Sequence, residues 1–197
     1  MMRLANAAFV AFGFLLGTAS LASAETCTTL ITGKTIIGDL VVPAGMACEI
    51  DSTTVNGSVR VEQGAYFYAA VSASGPVIIY GNVTAVQCGF VAFGSSSVSV
   101  DGNIQVEGCT GPSPTQITAT TISGNVECIS NSGACEIGGS TVGGNLQVND
   151  NSGGAGVTDN YVGGNLQCVG NPPSALVVNN NTVAGNKQGQ CASNTSQ

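Results

Sequence analysis

Val142-Gly143-Gly144-Asn145-Leu146 and Val162-Gly163-Gly164-Asn165-Leu166 are two copies of one unit, an aliphatic residue, one spacer, a glycine, a polar residue and a second aliphatic residue. Five earlier copies share the form: Ile36-Ile37-Gly38-Asp39-Leu40, Val55-Asn56-Gly57-Ser58-Val59, Ile79-Tyr80-Gly81-Asn82-Val83, Val100-Asp101-Gly102-Asn103-Ile104 and Ile122-Ser123-Gly124-Asn125-Val126. An eighth, Val183-Ala184-Gly185-Asn186-Lys187, closes the series with a lysine. The unit glycines follow one another at 19, 24, 21, 22, 20, 20 and 21 residues. Self-similarity at such a period is the mark of a solenoid.

Numbered from each glycine, positions −2, +2 and +4 are aliphatic or small in almost every copy, as in Val142, Leu146 and Val148. Such alternation, with its β-branched bias, is strand periodicity. Position +3 reads Arg60, Thr84, Gln105, Glu127, Gln147, Gln167 and Gln188 from the second copy onward, which predicts an outward polar row. The 28 glycines punctuate the chain too often for long helices. A strand that recurs after about 21 residues, with no room for a crossover helix, must stack in parallel on its own copy. The expected fold is an all-β, single-domain parallel β-solenoid of about eight coils, roughly 35 to 40 Å long at the ~4.8 Å spacing between strands.

Position +1 is Asp39, Ser58 and then Asn82, Asn103, Asn125, Asn145, Asn165 and Asn186; a second asparagine row is expected at +7 from Asn131, Asn151 and Asn171. Stacked amides can hydrogen-bond from coil to coil, and asparagine also suits tight corners. The eight cysteines test the register. Cys27 and Cys48 lie 21 residues apart, Cys88 and Cys109 also 21, and Cys168 and Cys191 23, each about one coil, which predicts sequential disulfides between stacked positions. Cys128 and Cys135 remain to close a local loop, although cysteine counting alone allows 105 connectivities.

Residues 1–24 carry Arg3, an apolar run from Ala7 to Leu16 and a small-residue ending at Ala22-Ser23-Ala24, the pattern of a signal peptide cleaved after Ala24. The expected solenoid domain covers 25–191, and 192–197 form a polar tail. Beyond the leader, Lys34, Arg60 and Lys187 face eleven acidic residues, and histidine is absent. That balance gives no footprint for nucleic acid, and no later stretch is fit for membrane insertion. The expected location is therefore secreted, periplasmic or cell-surface, where disulfides persist.

The repeat resembles that of the secreted parallel β-helix superfamily, which includes pectate-lyase-like enzymes, adhesins and passenger domains. Its short Val-x-Gly-Asn-Val-x-Val units are also similar to those of bactofilins, polymer-forming rods that are cytoplasmic and lack disulfides, unlike this chain. The resemblance implies fold and not activity.

Lyases of that superfamily need calcium-binding carboxylates and a basic residue, and hydrolases need clustered carboxylates. Here the acidic residues are dispersed; the nearest approach to a constellation is the −1 column Asn56, Tyr80, Asp101 and Ser123, with Glu62 and Glu107 in neighbouring register. Six aromatics, Tyr66, Phe67, Tyr68, Tyr80, Phe90 and Phe93, fall within residues 66–93, where they either form a sugar-stacking patch or plug an irregular stretch of core. Column −3 carries threonine at 35, 54, 121, 141 and 182, the residue type of ice-binding faces but also of any exposed strand. A calcium loop at Asn149-Asp150-Asn151 and Asp159-Asn160 lacks the required spacing, and four sequons begin at Asn56, Asn82, Asn180 and Asn194.

The reading is an exported structural, adhesive, or glycan- or protein-binding solenoid, without cofactor, metal or catalytic residues and with self-association open to it. Its candidate binding residues are Tyr66, Tyr68, Tyr80 and Asp101. A polysaccharide-active enzyme and an ice-binding protein are the alternatives.

Overall fold

A computed structural model describes residues 23–69 and 75–192. Most of the expected leader and the tail beyond Ala192 lie outside these residues. Every strand pairing among the described residues is parallel, and each joins one coil to the next. The chain is a β-solenoid of about seven turns. The sequence-based expectation is about eight coils, one for each glycine unit.

Each coil has three faces. Face A stacks nine strands, from Glu25–Thr26 and Leu40–Val42 to Leu166–Val169 and Lys187–Gly189. Face B stacks eight, from Leu30–Thr32 and Ala47–Asp51 through Tyr66–Ala69 to Leu176–Asn179. Face C is built of short strands from Thr35–Ile36 to Thr182–Val183. Faces B and C merge in two coils into the single strands Phe90–Val100 and Thr115–Ile122, and the ladder between these two slips between Gly94 and Val98. That slip and the 24-residue spacing before Gly81 mark the irregular stretch of the rod.

The expected inward rows hold. Ile36, Val55, Ile79, Val100, Ile122, Val142 and Val162 fill column −2, and Leu40, Val59, Val83, Ile104, Val126, Leu146 and Leu166 fill column +2, all buried. Column +3 faces outward with Arg60, Thr84, Gln105, Glu127, Gln147, Gln167 and Gln188 in one continuous register. Parallel strands must bury a continuous row to be stable, so a substitution anywhere in these columns is felt by the coils above and below.

Beyond Gly38, whose φ is 101°, the unit glycine is required by space and not by handedness. A Cβ added at Gly57, Gly81, Gly102, Gly124 or Gly185 would sit 2.5–2.7 Å from the carbonyl oxygen of the preceding unit's glycine. The same glycines are hydrogen-bonded in series, Gly144 N to Gly124 O at 2.9 Å and Gly164 N to Gly144 O at 2.9 Å. Left-handed backbone recurs chiefly in two other columns. Position −5 has positive φ at Gly33, Ser52, Ala119, Gly139, Asp159 and Asn180, and position +6 has it at Gln87, Gly108, Ser130, Asp150 and Gly170. These columns turn the chain from face B to C and from face A to B.

Each corner carries a polar ladder. Between faces C and A the +1 row runs as expected: Asn103 N, Asn125 N, Asn145 N, Asn165 N and Asn186 N each donate to the Oδ1 of the preceding coil at 2.8 Å. Between A and B the +7 row is buried and runs the other way. Asn131 N and Nδ2 donate to Asn151 Oδ1 at 3.1 and 2.8 Å, Asn151 N and Nδ2 donate to Asn171 Oδ1 at 3.1 and 3.2 Å, and Gln190 Oε1 ends the row by accepting from Asn171 N at 3.0 Å. The sequence reading missed the third ladder, at −4 between B and C. There Thr120 N donates to Ser140 Oγ, Ser140 N to Asn160 Oδ1 and Asn160 N to Asn181 Oδ1, at 3.2, 2.9 and 3.0 Å. Asn151 and Asn160 are thus consumed by two separate buried corners rather than meeting in a cation loop.

All four expected disulfides form. Cys27–Cys48, Cys88–Cys109 and Cys168–Cys191 join neighbouring coils with Cα separations of 5.5, 4.4 and 5.1 Å, and Cys128–Cys135 closes the local loop at 6.5 Å. Stacked positions, expected for all three, are bridged only at Cys88–Cys109; Cys168 stacks on Gly189 and Thr26 on Val41, so the other two bridges cross from the face A ladder toward face B. Loop-closure entropy assigns each one-coil bridge about 3 kcal/mol and the short loop about 2 kcal/mol.

Two predictions separate these devices. Asn151→Ala strands the buried donors of Asn131 and should cost about 3 kcal/mol in chemical denaturation, whereas Asn145→Ala on the exposed ladder, where water substitutes, should cost about 1 kcal/mol or less. Gly124→Ala should cost about 2 kcal/mol or more because the methyl forces two coils apart; a neutral result would remove the spatial account of the glycine column.

Candidate functional site

The aromatic cluster divides by strand alternation. Phe67 and Phe93 point inward, fully buried, and pack edge to face with ring centroids 5.9 Å apart. Tyr66 and Tyr68 point outward on face B and are 37% and 39% exposed. Tyr66 meets Phe90 of the next coil edge to face at 5.5 Å. The two expectations for this stretch, core plug and surface patch, are each met by different members of it.

Register on face B supplies the rest of the surface. Leu30 aligns with Glu49, Glu49 with Tyr68 and Tyr68 with Ala92, while Ala47 aligns with Tyr66 and Tyr66 with Phe90. The result is a groove of about 480 Å³ bounded by Thr28, Thr29, Leu30, Glu49, the two tyrosines and Phe90. Its size is that of a small-ligand site.

Two glycines seat the tyrosines. A Cβ at Gly89 would lie 2.5 Å from Tyr66 Cε1, and one at Gly94 would lie 3.2 Å from Tyr68 Oη. Both rings therefore lean across the ladder onto the backbone of the following coil, and the contact fixes them before any ligand arrives. Neither glycine belongs to the repeating unit, and their spacing from the tyrosines, about one coil, was the signal available in the sequence.

Charge in the groove is confined to Glu49, an exposed carboxylate with no ion-pair partner among the described residues. Lys34 pairs with Glu25, and Arg60 pairs with Glu62 at 3.1 Å. No basic residue lines the groove.

The other two candidate residues lie elsewhere. Tyr80 and Asp101 occupy the −1 column at the corner between faces C and A, on consecutive coils, with Tyr80 54% exposed. The structure brings Tyr66 and Tyr68 together and leaves Tyr80 and Asp101 as a separate pair. Glu62 and Glu107 fall on the far margin of face A, where Glu62 holds Arg60 and Glu107 Oε2 accepts from Gln105 Nε2 at 3.1 Å, so they do not converge with Asp101. Among the described residues there is no group of three or more histidine, cysteine or acidic side chains arranged around one point. The −3 threonine column is in register along face C but is interrupted by Ile78, Ser99 and Tyr161.

Gly89→Ala should push the Tyr66 ring off its seat and raise its exposure while leaving the ring present. Tyrosine fluorescence quenching by acrylamide should increase with little change in far-ultraviolet circular dichroism, and unchanged quenching would mean that Gly89 does not seat the ring.

Compared with family models, curated proteins and solved structures, the chain matches none.

Proposed function

We propose that this chain is an exported, non-catalytic rod that binds a glycan through the face B groove. The observation that carries the reading is the pair of outward tyrosines, pre-seated on glycine backbones and framed by Phe90, Leu30 and two threonines. Aromatic faces stack on the apolar faces of sugar rings, and rigid two-torsion side chains lose little entropy when they do. Threonine and phenol hydroxyls at the same surface offer partners for ring hydroxyls.

The chemistry of the groove favours binding over turnover. Glycoside hydrolysis uses two opposed carboxylates, and elimination needs a basic group to take the proton. The groove holds one carboxylate and no lysine, arginine or histidine. Four disulfides suit an oxidising compartment outside the cytoplasm. Kinship with pectate-lyase-like enzymes or bactofilin-like rods rests on the repeat unit alone and adds no site.

The test is a pull-down of the disulfide-bonded protein on insoluble neutral, acidic and amino polysaccharides, run beside Tyr66→Ala and Tyr68→Ala. At least one polymer should retain the protein, each variant should lose retention about tenfold, and no soluble sugar should be released. Polymer cleavage, or retention indifferent to both substitutions, would overturn the reading.

A further inference from the structure

We infer that the groove selects an amino sugar, a saccharide carrying a free ammonium group, with Glu49 as the charge-reading residue. The inference rests on the groove being the contact surface and concerns which glycan it takes.

Position decides the role of Glu49. It lies directly between Leu30 and Tyr68 in the face B ladder, so its carboxylate projects from the middle of the apolar surface and not from its rim. Leu30 and Tyr68 flank this exposed carboxylate in the ladder, and no cation pairs with it among the described residues. Other acids differ: Glu25 and Glu62 hold Lys34 and Arg60, while Glu136, farther along face B, accepts from Gln116 Nε2 at 3.1 Å. Glu49 stands apart as the carboxylate facing the aromatic rings with its charge unanswered.

The site's composition narrows the ligand. An ammonium group near aromatic faces gains from the ring quadrupoles, and a carboxylate within reach adds a charge-assisted hydrogen bond. Tyr66, Tyr68, Phe90 and Glu49 supply both terms in one place. An acidic sugar would meet Glu49 with like charge, in a chain whose eleven acidic residues outnumber its basic ones. A neutral sugar would stack on the rings but leave Glu49 unused. A saccharide with a free amine uses the rings, the threonine hydroxyls and the carboxylate together.

Isothermal titration of the disulfide-bonded protein with glucosamine tetramer, N-acetylglucosamine tetramer and galacturonate tetramer tests this. The glucosamine oligomer should bind about tenfold more tightly than its acetylated counterpart, and the galacturonate oligomer least. Glu49→Gln should abolish that preference while leaving the acetylated oligomer unchanged, and Glu62→Gln, outside the groove, should change nothing. Equal affinity for the acetylated and free amines, or a preference that survives Glu49→Gln, would overturn the inference and leave glycan binding at the groove standing. If none of the three oligomers binds while the polysaccharide pull-down succeeds with another polymer, the amino-sugar assignment alone falls.

Discussion

The backbone hydrogen bonds between coils set one distance, about 4.8 Å, that every other feature of this molecule must repeat. Whatever stands at one position of a coil meets its counterpart above and below at that spacing. Aliphatic side chains fit it and form continuous rows. A Cβ at the unit glycine does not, because the preceding unit's carbonyl oxygen already occupies the space. Asparagine fits it best at a corner, since its carboxamide can accept from the backbone of one neighbour and donate to the side chain of another. The repeat is the imprint of one length on three kinds of contact.

The corners show how a closed coil keeps its polar backbone satisfied. Strands pair on the faces, but each turn frees amides and carbonyls in a place that water reaches poorly. The two buried asparagine rows take up these groups: Asn151 Nδ2 donates to Cys128 O and Asn160 Nδ2 donates to Ile137 O. Among the described residues no buried side-chain nitrogen or oxygen is left without a partner. Three disulfides then tie neighbouring coils, and Cys48 of the Cys27–Cys48 pair lines the aromatic groove.

Inward rows, the outward polar row and the +1 and +7 ladders were legible because each keeps a fixed offset from the glycine, and three cysteine pairs because their separations of 21, 21 and 23 residues are about one coil. The −4 ladder was not. Its members are Thr120, Ser140, Asn160 and Asn181, three residue types that serve one hydrogen-bonding role, so no single letter repeats. The groove was half legible. Tyr66 and Tyr68 could be read as outward partners from alternation, but Leu30, Glu49 and Phe90 join them through face B register. Ala47, Tyr66 and Phe90 all stand at +9 from their unit glycines and Glu49, Tyr68 and Ala92 at +11, so the register follows the glycine, but no residue type repeats in either column to mark it. Tyr80 was grouped with the aromatic run by sequence and Asp101 with Tyr80 by the −1 column; the coil carries both round a corner from the other two tyrosines.

The two senses of the asparagine ladders have an electrical consequence. On the exposed corner each side-chain carbonyl points toward the following coil, and on the two buried corners toward the preceding one. Their dipoles oppose one another along the axis. An α-helix accumulates a macrodipole as its peptide units align, whereas adding a coil here adds side-chain dipoles of both signs. Two rows still oppose one, so the axial field of those amides grows with rod length more slowly than it would if all three ladders ran in one sense.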